Sequence, residues 1–580
     1  MTGYSWLASS FVLKPQGFSS DIVGMKWPHQ FPTYLVLVIG CSALSCQSPQ
    51  VTDSVIDIVD PTSLIPAPSE LHVVGGFTGP VNHLMVHGFD ACTEASQSWI
   101  ATWFADLGLS EQLANRGEQK TMVKASSHLW LDNDQDFAAK EGSYDLHIKV
   151  DGVALRFGDQ QGLMNGLQTL RQLTPADFWS EDFNGSLKPG FHWPLLQITD
   201  RPLHAYRGMH LDVCRHFFDV IFIKKYLDNL AFHKFNRFHW HLTEDQGWRI
   251  AIEAYPLLTD VGAWRAASQI GPYSDQRFDS TTYGGFYSQD DILEVVAYAT
   301  SLGIEVIPEI ELPGHSRAAI AAYPWLSCQS ELLPVATGWG VFEDVYCAGK
   351  DSVFDFLTTV LDEVMDLFPS KVIHIGGDES PKARWETCAA CQQRMVAEGL
   401  DNEHQLQSYF IQRIEKHVNQ RGRDIIGWDE ILEGGLAPNA KVMSWRGEKG
   451  GLAAASMGHE VVMTPGKPLY FDHYQSDPSQ EPHAIGGHNS LWDVYAYQPL
   501  SNDSSVSAFI IGAQGNVWTE YMETPEHVEY MVQPRASALA EILWSGARDS
   551  ATFDQALQYH AQRMDQLHWN QATHHLHEAH

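Results

Sequence analysis

The spacing of apolar residues changes near residue 200 and divides the chain in two. Before that point, polar and apolar residues alternate in short runs. Tyr144-Asp-Leu-His-Ile-Lys-Val150 has the period of two of a half-buried strand, and Asp151-Gly152 has the chemistry of a hairpin turn. Val153-Ala-Leu-Arg-Phe157 returns, and Gly162–Leu173 then spaces its apolar residues along one helix face. Residues 70–198 therefore read as a small α+β domain with an antiparallel sheet, reached through a Ser/Pro/Asp-rich linker over residues 47–69.

From residue 199 a unit of strand, loop and helix repeats. Apolar strands are predicted at Gly208–Leu211, Arg237–Leu242, Ile304–Pro308, Val372–Ile375, Asp424–Trp428, Lys441–Trp445, Glu460–Met463 and Phe509–Gln514. Helical patterns intervene near 221–233, 288–302, 351–368, 403–421, 447–458 and 525–540, the second opening on Ser-x-x-Asp, similar to a capping box. Strands with crossover helices in this rhythm predict a (β/α)8 TIM barrel over residues 199–548. A helix and a frayed, His-rich tail are expected over 549–580.

Composition narrows the partners. A formal net charge of -34 argues against nucleic acid or an anionic membrane surface. The 19 Trp residues suit a cleft that stacks rings on sugar faces. Residues 1–46 read as an export signal: Met25-Lys26-Trp27 supplies a positive start, Tyr34–Ile39 a short apolar core, and Val38-Ile-Gly-Cys41 resembles a lipobox. The expectation is a lipid anchor at Cys41 and a periplasmic or outer-membrane location, the alternative being secretion after ordinary cleavage. In an oxidising compartment, Cys328 with Cys347, and Cys388 with Cys391, are expected to form two local disulfides. A zinc site needs four ligands, and the lone C-x-x-C at 388–391 has no second C-x-x-C to complete it. No cofactor or metal is expected.

In a TIM barrel the C-terminal strand ends form the active site. Read in order, those ends present Asp212 and Arg215, then His241, Glu244 and Asp245, then Glu309, Glu311 and His315, then Gly376-Gly377-Asp378-Glu379. Trp428 with Asp429-Glu430, Trp445, Tyr470 with Asp472, and Trp518 with Glu520 follow. Carboxylates and aromatics at nearly every strand end suit acetal hydrolysis, which needs an acid for the leaving oxygen and stabilisation of an oxocarbenium-like centre. The two glycines free the backbone, so that both Asp378 and Glu379 can turn inward, where mutual repulsion raises at least one pKa.

His374-Ile-Gly-Gly-Asp-Glu379 resembles the signature of family 20 glycoside hydrolases, the β-N-acetylhexosaminidases. Arg207-Gly-Met-His-Leu-Asp-Val-Cys-Arg-His216, His239-Trp-His-Leu-Thr-Glu-Asp-Gln-Gly-Trp-Arg249 and Pro308-Glu-Ile-Glu-Leu-Pro-Gly-His315 are similar to further motifs of that family, in its order. So are Gly427-Trp-Asp-Glu430, Ser444-Trp-Arg-Gly447 and Gly512-Ala-Gln-Gly-Asn-Val-Trp-Thr-Glu520, and the likeness spans about residues 65–545. It implies retaining, substrate-assisted removal of terminal β-linked N-acetylhexosamine from chito-oligosaccharides or glycoconjugates. Glu379 would be the acid/base, Asp378 would orient the substrate's acetamido group, and Tyr470 would hydrogen-bond its oxygen. Trp428, Trp445 and Trp518 would wall the sugar, while Arg215, Asp472 and Glu520 would hold its outer hydroxyls. His315 and Glu244 would tune Glu379, with Glu244 standing where many relatives have Asp.

Two rival readings have their own residues. His239 and His241, two apart on one strand face, could be the metal pair of an amidohydrolase, which chelators would inhibit. A sugar-binding protein without activity would need no acid, so the Asp378-Glu379 pair argues against it, and a chromogenic N-acetylglucosaminide separates the two.

Overall fold

The computed structural model describes residues 58–574, apart from 108, 115–126, 135–136, 138–140, 180–189 and 502. The export segment with Cys41 and the end of the His-rich tail lie outside the described residues.

Among the described residues, seven strands form the first sheet: β1 (Glu70–Phe77), β2 (His83–His87), β3 (Ser110–Ala114), β4 (Ser127–Asn133), β5 (Tyr144–Lys149), β6 (Gly152–Phe157) and β7 (Pro194–Asp200). Their order is β1-β7-β5-β6-β4-β2-β3. The β5–β6 hairpin pairs Tyr144 with Phe157 and Lys149 with Gly152. Gly152 is required there, because at φ +148° a Cβ would lie 2.2 Å from the His128 carbonyl oxygen. The sheet has an antiparallel half, β1, β7, β5 and β6, and gains a parallel half through β4, β2 and β3. Parallel pairing requires crossovers, and one of them, Glu94–Asp106, is a helix that the apolar spacing did not reveal. The other helix, Gln160–Gln172, buries Leu163, Leu167 and Leu170.

Eight parallel strands close the barrel: β8 (Tyr206–Asp212), β9 (Arg237–His241), β10 (Glu305–Glu309), β11 (Val372–His374), β12 (Asp424–Trp428), β13 (Lys441–Ser444), β14 (Val461–Met463) and β15 (Ile510–Gly515). Ser288 and Asp291 form the reciprocal capping box at the start of Gln289–Ser301. The helix expected over 525–540 is two, Pro525–Val532 and Arg535–Trp544. Pro534 cannot donate a helical hydrogen bond, and the residue before a proline is pushed to extended backbone, as Gln533 is at φ -98°, ψ 137°.

Sheet and barrel share one apolar core and a buried polar hub at Asp200, the last residue of β7. Its carboxylate accepts from Tyr144 Oη (2.7 Å) and Ser69 N (2.8 Å) on the sheet side, and from Lys234 Nζ (2.9 Å) and Trp544 Nε1 (2.8 Å) on the barrel side. Arg563, on the C-terminal helix Ser550–Gln566, donates to the carbonyls of Ser63 and Gln172.

The two local disulfides expected from the sequence are not formed. Cys328, Cys347, Cys388 and Cys391 are free thiols in one cluster, with Sγ–Sγ separations of 3.7 Å for 328–391, 3.7 Å for 347–388 and 3.6 Å for 347–391. Chain proximity suggested neighbours as partners, whereas the loops after β10 and β11 bring the two pairs together.

Candidate active site

The floor of the barrel mouth is organised around Glu309, a wholly buried carboxylate at the end of β10. Register across the neighbouring strands sets Glu309 beside His241 and His374. Oε1 accepts from Trp428 Nε1 (2.9 Å) and lies 2.7 Å from His374 Nδ1. Oε2 is bonded to His241 Nδ1 and lies 3.0 Å from His239 Nε2. Burial alone would raise the pKa of Glu309, but the surrounding imidazoles outweigh it and hold the group well below the carboxylate range. Burial also opposes charge on His241, yet Glu309 and Glu244 prevail and lift it to about 10, while burial takes His239 down to about 4. Both nitrogens of His241 are engaged, by Glu309 and by Glu244, and His239 Nδ1 meets Gln514 Nε2 at 3.0 Å. These rings support a carboxylate, which disfavours their reading as a metal pair.

Above this floor stands the carboxyl pair. Gly376 and Gly377 turn the chain out of β11 at φ +62° and +94°. Glu379 (φ +42°) and His315 (φ +45°) are themselves left-handed, a strained state for residues with a Cβ that is common at functional sites. His315 Nδ1 lies 2.7 Å from Glu244 and 3.1 Å from Asp245, and Nε2 lies 3.6 Å from both Asp378 and Glu379. Burial disfavours charge on His315, but these carboxylates raise its pKa well above the ordinary value. Burial also raises Asp378 far above the usual carboxylate range, with help from Glu430, Glu309 and Glu379 against the pull of His315. Glu379 moves the other way, held down first by the His315 imidazole 3.6 Å away. Of the two adjacent carboxyls, the raised one is thus Asp378. Glu379 keeps 41% of its side chain exposed, and solvent stabilises its charge.

The cavity around this pair, about 310 Å³, is lined by Arg215, Glu244, His315, Asp378, Glu379, Trp445, Tyr470, Asp472, Trp518 and Glu520. Trp428 does not line it. That indole is buried beneath Trp518, ring centroids 5.8 Å apart, and its donor is spent on Glu309. Trp445 stacks on Tyr470 at 6.1 Å and donates to Glu430 (2.8 Å). Arg215 reaches Glu244 at 3.1 Å and lies over the Trp518 ring at 5.1 Å. Asp472 and Glu520 both have raised pKa values, from burial first, and in Asp472 from the charge of Glu520 as well. Among the described residues, Asp378 Oδ1, Asp472 Oδ1, Glu520 Oε2 and Arg215 Nε are buried without a hydrogen-bond partner, the groups that a ligand rich in hydroxyls would satisfy. A larger cavity, about 490 Å³, lies among the helices Glu94–Asp106, Val220–Phe232 and Gln289–Ser301, away from every strand-end residue.

Sequence reasoning missed His473 and Ile485-Gly486-Gly487, which complete the lining from an irregular loop. Its one legible signal is the glycine pair, at φ +123° and +66°.

The model of glycosyl hydrolase family 20, catalytic domain, matches residues 204–547, and that of glycosyl hydrolase family 20, domain 2, matches residues 61–201. A beta-hexosaminidase of Porphyromonas gingivalis is 48% identical over 466 residues, covering 80% of this chain. The match spans only 57% of that relative's own length. A beta-hexosaminidase of Vibrio furnissii is 32% identical, the match covering 82% of this chain and 76% of that one. Among solved structures, a mutant Streptomyces plicatus beta-hexosaminidase in complex with product (GlcNAc) superposes with a TM-score of 0.74 at 27% identity, covering 89% of this chain and 97% of that one.

Proposed function

The chain belongs to glycosyl hydrolase family 20, and from that footing we propose that it hydrolyses terminal, non-reducing β-linked N-acetylhexosamine residues with retention of configuration. The observation that carries the mechanism is the shared position of Asp378 and Glu379 against His315 Nε2, 3.6 Å from each. Consecutive residues held to one imidazole approach the sugar from one side. A protein nucleophile would stand across the anomeric carbon from the acid. The substrate's own acetamido oxygen then attacks, with Asp378 accepting from the acetamido N–H and Tyr470 donating to its oxygen. Attack forms the C1–O bond of an oxazolinium ring as the glycosidic bond breaks and Glu379 gives its proton to the leaving oxygen. Glu379 next takes a proton from water, which opens the ring at C1 and restores the acetamide. Intramolecularity supplies an effective molarity of roughly 10⁵–10⁸ M.

Trp445, Tyr470 and Trp518 bound the space for the acetamido methyl, and Arg215, Asp472 and Glu520 offer unsatisfied polar atoms to the outer hydroxyls. The natural substrates in this reading are chito-oligosaccharide or glycoconjugate ends, met at the cell envelope by a chain lipidated at Cys41. Recovery of the mature protein in detergent, with a diacylated Cys41 at its N-terminus, tests that location.

The test of mechanism is a pair of aryl substrates. N-acetyl-β-glucosaminide should be cleaved to the β-anomer first, and the β-glucoside lacking the acetamido group should be hydrolysed negligibly. Inverted product, or a glycosyl ester trapped on an enzyme carboxylate, would overturn it. Glu379→Gln should lose at least about 10²-fold in rate on a sugar leaving group and less on an activated aryl one.

A further inference from the structure

From the four-cysteine cluster beside the barrel mouth we infer a structural zinc site, with Cys328, Cys347, Cys388 and Cys391 binding one Zn²⁺ as thiolates. Zinc–sulfur bonds of about 2.3 Å in a tetrahedron place the sulfurs about 3.8 Å apart. The separations here are 3.6 to 3.7 Å, and all four sulfurs lie within 4.8 Å of one another. Two disulfides would sort the sulfurs into pairs about 2.05 Å apart. Cys347 instead stands 3.7 Å from Cys388 and 3.6 Å from Cys391.

The backbone around the cluster is built to hold this shape. Cys347 N donates to Leu326 O (2.9 Å), next to the Ser327–Tyr346 bridge. Lys350 ties the same loop by donating to the carbonyls of Trp325 (2.9 Å) and Ser327 (2.6 Å). Gly349 lets this loop close on the C-x-x-C segment, since a Cβ there would lie 2.2 Å from the carbonyl carbon of Ala390. Cys388 caps the helix Ala389–Glu398 and Cys391 sits in its first turn, where free N–H groups favour thiolates. Cys347 and Cys391 are fully buried, and four thiolates gathered there require a cation. Binding expels the four thiol protons and leaves a complex of net charge minus two. The site joins the loop after β10, which carries His315, to the loop after β11, which carries Asp378 and Glu379. Its role is to position those loops, and none of the four cysteines lines the cavity of the carboxyl pair.

The experiment measures metal in the full chain purified without chelators, by plasma mass spectrometry, beside peptide mapping of the cysteines. About one zinc per chain is expected, with all four cysteines unbridged. Cys388→Ser/Cys391→Ser should fall below about a tenth of an equivalent, while Cys92→Ser keeps its zinc. Should the double variant fail to accumulate, cobalt(II) loaded into the unaltered chain decides, and intense tetrahedral thiolate bands saturating near one equivalent are expected. A zinc-free chain with these cysteines in disulfides, full zinc in the double variant, iron in place of zinc, or the weak bands of octahedral cobalt would each overturn the assignment.

Discussion

Glu379 is the more exposed and the more acidic member of the carboxyl pair, yet its proposed step requires a proton. Because kcat/KM reports the free enzyme, its alkaline limb should fall on the acidic side of neutrality, where Glu379 loses that proton. His315 is the first cause of that acidity, so His315→Gln should raise the Glu379 pKa and move the alkaline limb to higher pH, alongside a loss of kcat. A limb that stays in place on substitution would remove His315 from this role. Asp378 and Glu379 titrate as a pair, so the shift belongs to the pair's apparent values. Much of this site was legible one residue at a time: a carboxylate after two glycines at a strand end has few reasons to be there except chemistry. Trp428 was not, because an aromatic at a strand end has the same sequence signature whether it lines the mouth or supports the ring that does. The cysteines were not legible either, since the loop geometry that unites residues 328 and 391 leaves no mark in their spacing.

Among elements, the turn out of β11 carries the most consequence. At Gly376 the backbone is left-handed and a Cβ would fall 1.7 Å from Glu311 Oε2, which is buried. Gly376→Ala therefore adds a clash to the backbone strain and displaces the carboxyl pair that follows. It should lower Tm and cut kcat by about 10²-fold, the scale of an ångström's misplacement of a reacting group. Gly399→Ala is the control: φ is +69° there too, but nothing lies within 4 Å of a new Cβ. Strain alone should cost it about 1–2 kcal/mol in a denaturant titration with kcat unchanged. Equal kinetic losses in the two variants would show that the turn does not position the pair. The barrel strands were readable because each is a short apolar run closed by polar residues. The loop over 473–490 was not, because irregular backbone that folds over a site follows no period.

At the scale of the molecule, the hub at Asp200 couples the sheet to the barrel. Burial would raise its pKa, but Lys234 and Tyr144 prevail and hold it below the usual Asp value. A lowered carboxyl contributes stability above its unfolded pKa, and that contribution is lost as pH falls through the folded value. Burial depresses Lys234 as well, so the intact pair adds little net, whereas Asp200→Asn leaves a buried ammonium uncompensated. That substitution should cost about 3–5 kcal/mol, read from chemical unfolding at neutral pH, and the deficit should shrink in acid. A loss under about 1 kcal/mol would make the hub incidental. Because the same carboxylate is bonded from both sides of the boundary between sheet and barrel, neither half can melt without stripping the other of partners. Heating should therefore produce a single calorimetric peak whose measured enthalpy equals its van't Hoff enthalpy, so that the sheet acts as part of the barrel's cooperative unit.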